Sequence, residues 1–404
     1  MRLGGLTRRL SVAAVATLAV TITGCSGTGG GDSPAACNSP GVTSDQVKIG
    51  FVYSDSGPGS SSLSSARAGL DARIGLANQE GGIHGRRIVY EWRDDGSSST
   101  ENARATQDLV RNQSVFGLVT ATASLGDSLE NLQKEGVPVS GLTQPAWARY
   151  QNLFSFLYDV SPEATGRYIK AAGGTKVAYL VSAASPFTMQ TIERYKSAFA
   201  SVQLPSADVI PFAQATDSPT QVAQRLSAIG ADALVGFSTP QDLAEVLQAA
   251  RASNVNLAAT ISLTGYDRSV LHTLGPALAG VSFSVNFKPF EVGDAAIQRY
   301  RDAMTRFAPE TTVPEQQFAM YAYLYTDLFL RGLDLAGDCP TREAFISGLR
   351  KVTDYDAGGL ISPVNIGTNA TQPLRCNAFV RINQAGNEFE VTNSGLCADG
   401  SSTS

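Results

Sequence analysis

Residues 47–53 read VKIGFVY, residues 54–60 read SDSGPGS, and residues 63–79 read LSSARAGLDARIGLANQ. The first segment is a short apolar run typical of a buried strand, and the second is a loop of glycine, proline and serine. The third has the apolar spacing of a helix. This order of strand, loop and helix predicts a parallel sheet with helices packed on its faces.

The same unit recurs along most of the chain. Further strands are predicted near residues 87–92, 115–120, 137–140, 176–181, 207–212, 233–237 and 257–262, each followed by a helix or a loop. No period of about 20 to 50 residues repeats, which argues against a solenoid or a propeller. The alternation therefore favours an α/β fold built from doubly wound parallel sheets.

Three extended segments indicate that the chain crosses between two lobes. They are FSFLYDVSP (154–162), VSFSVNFKP (281–289) and GGLISPVNI (358–366), and helices predicted at about 295–307, 316–336 and 342–352 would complete the first lobe. Two doubly wound lobes would leave a ligand cleft between them, at the carboxyl ends of the strands. The predicted division is 45–158 plus 285–360 for lobe 1, 159–284 plus 361–397 for lobe 2, and a tail at 398–404.

The N-terminus has the pattern of an export signal. Three arginines precede an apolar run at about 10–22 that contains no acidic residue and is too short to span a bilayer. The run ends in ITGC (22–25), which resembles the bacterial lipoprotein box, so we expect residues 1–24 to be removed and Cys25 to be lipidated. The Arg8-Arg9 pair leaves the general secretory and the twin-arginine routes both open.

Residues 25–44 follow as a predicted flexible spacer, because SGTGGGDSPAACNSPGVTS (26–44) has almost nothing to bury. Export would place the four remaining cysteines in an oxidising compartment, where two disulfides are expected. Three pairings are possible, and the sequence alone does not choose among them. Cys376 and Cys397 flank a hairpin predicted at 377–382 and 388–392, so the two ends of this hairpin could meet. This favours the pairing of Cys376 with Cys397, which leaves Cys37 with Cys339.

Composition excludes several classes of function. The chain has 31 basic and 36 acidic side chains and a net charge of −5, which gives no attraction to nucleic acid. It contains only two histidines, His84 and His272, and no G-x-S-x-G, H-E-x-x-H or P-loop motif. A secreted hydrolase is therefore the weaker alternative. We predict a protein that is not an enzyme and that holds no metal and no cofactor.

Three segments resemble the leucine/isoleucine/valine-type solute-binding proteins, which have the type I periplasmic-binding fold and serve ABC importers. They are VKIGFVYSDSGP (47–58), AGLDARIGLANQEGGIHGRRIVYEWRDDGSSSTENARATQDLV (68–110) and EGVPVSGLTQP (135–145), and the similarity extends over about 47–393. The resemblance implies a monomer, lipid-anchored to the outer face of the cytoplasmic membrane, that closes on a small polar or amphipathic solute. It would present the solute to an ABC permease. A ligand sensor on the same fold is the alternative, and the solute stays unidentified.

Loops that follow strands supply the candidate solute contacts of lobe 1. Residues 56–60 and 120–124 each open a helix, where unpaired N–H groups and small hydroxyls converge, although Ser and Thr could instead cap these helices. The resemblance implies that loops 120–124 and 141–143 hold the α-carboxylate and part of the α-ammonium of an amino acid. Asp94 and Asp95 either orient these loops or form a solvated strand end. The lobe 1 candidates are Ser60, Thr122, Ala123, Ser124, Gly141, Leu142 and Thr143.

Lobe 2 departs from the amino-acid-binding pattern of that family. Residues 237–240 (FSTP) stand where the family supplies a tyrosine, and residues 263–266 (LTGY) stand where it supplies a glutamate for the ammonium. A buried ammonium without a carboxylate is costly, so branched-chain amino acids should bind poorly unless Asp267, which could also cap the next helix, replaces the glutamate. Phe187 matches a region that often lays an aromatic ring over the ligand, or it belongs to the core. The lobe 2 candidates are Phe187, Thr239, Thr264 and Asp267.

Overall fold

The structure is a computed structural model that describes residues 37–157, 161–214, 216–367 and 374–402. The export signal, the lipidation of Cys25 and the first part of the spacer lie outside the described residues. Within them, the strands form a five-stranded sheet in the order β2-β1-β3-β4-β5 and a seven-stranded sheet in the order β12-β11-β10-β9-β8-β6-β7. The strands are β1 (Gln46–Tyr53), β2 (Arg87–Asp94), β3 (Leu118–Ala121), β4 (Val139–Gly141), β5 (Leu153–Phe154), β6 (Val177–Val181), β7 (Ser206–Pro211), β8 (Ala233–Phe237), β9 (Ala259–Ser262), β10 (Ser282–Val285), β11 (Cys376–Ile382) and β12 (Phe389–Cys397).

Helices follow most of these strands, as the alternation in the sequence predicts. The long helix predicted at 63–79 begins three residues later and is preceded by a single turn. The helices are α1 (Ser60–Leu63), α2 (Ala66–Gln79), α3 (Ser99–Gln107), α4 (Leu129–Lys134), α5 (Pro162–Ala171), α6 (Pro186–Ser201), α7 (Pro219–Ala228), α8 (Pro240–Ala252), α9 (Arg268–Leu274), α10 (Ala295–Phe307), α11 (Gln317–Leu335) and α12 (Arg342–Leu349).

Four consecutive helices beside the second sheet begin with the same local chemistry. Each of α5 to α8 starts with proline, preceded by Ser or Thr. In α6, α7 and α8 that hydroxyl accepts a hydrogen bond from the N–H group three residues later. Proline has a fixed φ that suits the first helical position, and the hydroxyl satisfies a donor that the helix leaves unpaired. The helix starts are therefore encoded locally.

Both sheets are parallel apart from one hairpin. All described pairs of the first sheet are parallel, and so are those from β6 to β10. The hairpin of β11 and β12 adds to the edge at β10 in antiparallel register. Cys376 lies directly opposite Cys397 in this hairpin, and the two form a disulfide. The structure thus contains the predicted hairpin with its own disulfide.

The second disulfide ties the start of the described chain to the end of α11. Cys37 and Cys339 are joined, with their Cα atoms 5.3 Å apart. Beyond it, the Lys48 N–H donates to the Gly41 carbonyl oxygen at 2.7 Å, and Val42 is buried. The backbones of Gly41, Val42 and Thr43 therefore pair with β1, within the segment for which the sequence predicts a flexible spacer.

Helix α11 connects the first sheet to the segments that cross between the sheets. It packs on α2, β3 and β4, and most of its residues are buried. Near its start, the Tyr321 ring contacts Phe156 and Phe287, which belong to the first and second crossing segments. The third crossing segment joins the second through the Lys288 N–H, which donates to the Leu360 carbonyl oxygen at 2.8 Å. No helix among the described residues has the length and apolarity needed to cross a membrane.

Candidate functional site

A buried carboxylate holds three loops together at the carboxyl edge of the first sheet. Asp95 is completely buried after β2, and its carboxylate oxygens accept hydrogen bonds from Ser54 Oγ at 2.8 Å and Asn102 Nδ2 at 2.9 Å. The Ser97 N–H and the Thr122 hydroxyl donate to the same carboxylate. Asp95 therefore orients the loops after β1, β2 and β3 and is not a solvated strand end.

The Thr122 hydroxyl is fully engaged in this network. It donates to Asp95, and its oxygen accepts the Ser124 N–H at 2.9 Å. Thr122 has no exposed surface, whereas Ala123 and Ser124 beside it are half-buried. The prediction of a solute contact through the Thr122 hydroxyl gives way to a positioning role, because that hydroxyl already has its partners.

Asp94 orders the loop that contains the candidate Ser60. Its carboxylate accepts from the N–H groups of Asp55 at 3.0 Å and Gly96 at 2.9 Å, and from both the N–H and the hydroxyl of Ser56. Partial burial acts to raise its pKa, but these hydrogen bonds outweigh it and hold the pKa of Asp94 below the ordinary value. The Ser60 hydroxyl donates to the Gly57 carbonyl oxygen at 2.8 Å, so it binds the loop that precedes α1.

Close packing explains the glycine at the end of β4. A Cβ atom at Gly141 would lie 2.1 Å from Thr120 Oγ1 and 2.3 Å from the Thr120 carbonyl oxygen. Gly141 is buried and has no side chain, so only its backbone could contact a solute. Leu142 and Thr143 are half-buried. Thr143 Oγ1 makes one long contact, at 3.4 Å, with the Gln144 carbonyl oxygen.

Several buried polar atoms at this edge have no hydrogen-bond partner within the part of the chain that the structure describes. They are Thr120 Oγ1, Gln144 Nε2 and Trp147 Nε1. Sequence reasoning missed Gln144, which directly follows the loop 141–143, and Trp147, which lies three residues further on. Buried polar groups are normally paired, so these atoms point to water or a bound molecule.

The loops after β8 and β9 are joined to each other at the carboxyl edge of the second sheet. The Thr264 hydroxyl donates to the Ser238 carbonyl oxygen at 3.0 Å, and the Thr239 hydroxyl caps α8 by accepting the Asp242 N–H at 3.1 Å. Asp242 in turn accepts from the Ser182 hydroxyl. Ser238 Oγ is buried and has no partner within the described ranges.

The Asp267 carboxylate is hydrogen-bonded to another segment of the protein. Its Oδ1 accepts the Gln317 N–H, so it binds the first residue of α11 and does not cap the helix that follows it. Burial raises the pKa of Asp267 to about 7, although the Gln317 hydrogen bond acts in the opposite direction. Phe187, the last candidate, lies half-buried in the first turn of α6.

A cavity bounded by other elements contains none of the predicted solute residues. Its volume is about 370 Å³, and it is bounded by α2, α11 and residues 352–358, with Arg73, Asp327 and Tyr355 among its lining. Arg73 Nε donates to Asp327 at 2.7 Å, and the Tyr355 hydroxyl donates to the same carboxylate at 2.8 Å. The Arg73 and Asp327 side chains in this cavity already form an ion pair, and we place the candidate site at the strand ends, where the predicted solute residues lie.

A family model described as periplasmic binding protein matches residues 46–387. The chain belongs to this family. The match confirms the resemblance drawn from the sequence, and the two sheets with their helices form the two-lobed type I periplasmic-binding fold. The family consists of extracytoplasmic solute-binding proteins and not of enzymes. Comparison with curated proteins finds no match.

Solved structures of solute-binding proteins share the fold at low sequence identity. The fatty acid ABC transporter substrate-binding protein from Thermomonospora curvata has a TM-score of 0.76 and 17% identity, covering 90% of this chain and 96% of its own. A branched-chain amino acid ABC transporter protein from Thermus thermophilus with bound valine has a TM-score of 0.75 and 15% identity, covering 87% and 97%. A solute-binding protein from Rhodopseudomonas palustris in complex with 3,4-dihydroxybenzoic acid has a TM-score of 0.72 and 16% identity, covering 88% and 98%.

Proposed function

We propose that this periplasmic binding protein captures a small polar or amphipathic solute between the carboxyl edges of its two sheets and delivers it to an ABC permease. The observation that carries this proposal is the set of buried, unpaired polar atoms at both edges. These atoms belong to Thr120 and Gln144 in the first sheet and Ser238 in the second. Half-buried Ser124 and Thr143 lie beside the first set, and Thr239 and Thr264 lie beside the second.

The solute we propose lacks an α-ammonium group. In the described part of the second-sheet edge, Asp242 accepts from Ser182, and Asp267 accepts the Gln317 N–H. An ammonium buried there would have to compete with these protein donors for a carboxylate, which makes its desolvation costly. The fatty acid and 3,4-dihydroxybenzoic acid in the names of two proteins of this fold are carboxylic acids without an ammonium. Organic acids and amides are therefore the classes that we favour.

We also propose the lobe bounds and the anchor. Lobe 1 comprises 45–158 plus 285–360, and lobe 2 comprises 159–284 plus 361–397. The packing of α10 and α11 on α2 supports the first of these.

A lipid on Cys25 would tether a monomer to the outer face of the cytoplasmic membrane. Replacing Cys25 with Ser should release the exported protein from membranes, whereas a membrane-bound C25S protein would contradict the anchor.

A thermal-shift screen tests the binding function. The mature protein is heated with amino acids, amides, short peptides, aromatic acids and fatty acids, one compound at a time. A solute that binds only the folded state stabilises it by RT ln(1 + [L]/Kd), about 2.7 kcal/mol at a hundredfold excess over Kd. A binder whose effect is weakened by Ser124→Ala and Thr143→Val supports the site. A binder that is insensitive to both variants would move the site elsewhere.

A further inference from the structure

The side chain of Gln317 holds a loop of the second sheet onto α11. Its Nε2 donates to the Leu263 carbonyl oxygen at 3.1 Å, and its Oε1 accepts the Tyr266 N–H at 3.3 Å. Gln317 is 2% exposed, so these contacts are shielded from water. Both polar atoms of one buried amide are thus used to bind the backbone of the loop after β9.

Asp267 completes the junction from the opposite side. Its carboxylate accepts the Gln317 N–H, Asp267 forms an antiparallel bridge with Gln316, and the Arg268 N–H donates to the Glu315 carbonyl oxygen at 3.1 Å. The first N–H groups of a helix have no partner within the helix, so an oxygen acceptor outside it satisfies one of them. Each segment therefore satisfies polar groups that the other leaves open.

The junction joins elements that belong to different sheets. Helix α11 is fixed to the first sheet, where the Tyr325 carbonyl oxygen accepts Ser140 Oγ at 2.8 Å. The loop after β9 is fixed to the second sheet through the bond from Thr264 to Ser238. Gly265 has φ +96°, and a Cβ atom there would lie 2.8 Å from Pro240 Cγ, so this loop packs tightly on the start of α8.

We infer that Asp267 and Gln317 are positioning residues that lock the loop after β9 onto α11. This contact keeps the loops after β8 and β9, which carry Thr239 and Thr264, in a fixed orientation relative to the first sheet. These loops form the second-sheet side of the proposed solute site. The inference rests on the proposed function, because it assigns these residues a part in placing the two walls of that site.

Hydrogen exchange of the full mature chain without solute measures the junction directly. Gln317→Leu removes both contacts of the amide, and Asp267→Ala removes the acceptor for the Gln317 N–H. Exchange in the peptides that contain residues 263–268 and 315–320 should become about 5 to 150-fold faster, as expected for the loss of a buried hydrogen bond. Gln298→Leu on the exposed face of α10 is the matched control and should leave both peptides unchanged. If Gln317→Leu does not fold, Gln317→Glu, which removes only the donor to Leu263, replaces it.

Two further measurements separate positioning from local stability. Asp267→Asn keeps an oxygen acceptor, so it should restore slow exchange where Asp267→Ala does not. Small-angle X-ray scattering of the same proteins should show a larger radius of gyration for Gln317→Leu and Asp267→Ala only. Faster exchange with unchanged scattering would overturn the inference, and so would equal behaviour of the Asn and Ala variants. Because no solute is present, a failed solute screen would count against the proposed function and leave this result intact.

Discussion

At the scale of single residues, polar side chains at the strand ends mainly build the loops. Asp95 is buried without an ionic partner in the network described here, and it is tolerated because four donors converge on its carboxylate. Asn102 extends the network, since its Oδ1 accepts from Ser128 Oγ at 3.0 Å in the turn after β3. These hydrogen bonds therefore fix the backbones of the loops at the candidate site. Ser124 lies beside them and is half-buried.

The Thr122 hydroxyl gives the first prediction at this scale. Thr122→Val leaves the buried Asp95 carboxylate without one donor, so the free energy of unfolding should fall by about 1 to 3 kcal/mol. Thr122→Ser keeps the hydroxyl and should recover most of this loss. Ser124→Ala should lower the free energy of unfolding much less, since Ser124 is only half-buried. Urea unfolding of the three variants checks this, and equal stability of Thr122→Val and the wild type would contradict the network.

Asp267 gives a second prediction, in which pH is the variable. Its pKa is about 7 in the folded protein and about 4 in an unfolded chain, so the folded state binds the proton more tightly. The stability contributed by this group is therefore complete below about pH 4 and is lost as the pH rises through about 7. The neighbouring charges are already paired, since Arg268 lies 3.3 Å from Glu291 and 3.9 Å from Glu315.

Asp267→Asn should remove this dependence while it keeps the acceptor for the Gln317 N–H. The difference in unfolding free energy between variant and wild type should shift in favour of Asn from about pH 4 to pH 7 and then level off. Half-buried Glu291, whose pKa is also raised by burial, is present in both proteins, so its contribution cancels in the difference. Denaturant unfolding across this pH range measures it. A constant difference would show that Asp267 titrates in its ordinary range.

At the scale of elements, the two disulfides close loops of very different length. The bond between Cys37 and Cys339 spans 302 residues, and the bond between Cys376 and Cys397 spans 21. A disulfide restricts the unfolded chain more when it closes a longer loop, which in the chain-entropy description makes the first bond about 2 kcal/mol more stabilising. The second holds two strands that already pair with each other.

The double variants C37S/C339S and C376S/C397S test this difference. Each should lower the unfolding free energy by roughly 2 to 5 kcal/mol, and the first should lower it by about 2 kcal/mol more than the second. Alkylation of the oxidised wild type before reduction should leave all four thiols unlabelled. A larger loss for the hairpin pair would show that native geometry, and not loop closure, governs their contribution.

Sequence reasoning reached the elements whose signals are local. The helix predicted at 295–307 is α10 (Ala295–Phe307). It could not supply partners that the fold brings together from afar. Asp267 and Gln317 are separated by 50 residues, and only the packing of α11 against the crossing segments makes them neighbours. For the same reason the sequence did not show that Thr122 binds Asp95, which lies in the loop after another strand, β2.

At the scale of the whole molecule, helix α11 connects the two sheets, whose carboxyl edges form the two sides of the proposed site. Its N-terminus binds the loop after β9, and its buried length packs on β3 and β4. The crossing segments meet near the same helix end, where Phe156 and Phe287 contact Tyr321. A change in the angle between the sheets would therefore alter the contacts at the start of α11.

The last prediction concerns which solutes this arrangement accepts. Leucine and 4-methylpentanoate share one carbon skeleton and carboxylate and differ only in the α-ammonium, as do valine and 3-methylbutanoate. With Asp242 and Asp267 both engaged by the protein, the amino acid of each pair should bind on the order of a hundredfold more weakly than the acid, because a desolvated ammonium without a partner costs several kcal/mol. Calorimetry on the mature protein measures both members of each pair. Submicromolar binding of leucine or valine would contradict this reading, and its loss in Asp267→Asn would then identify Asp267 as the group that pairs with the ammonium.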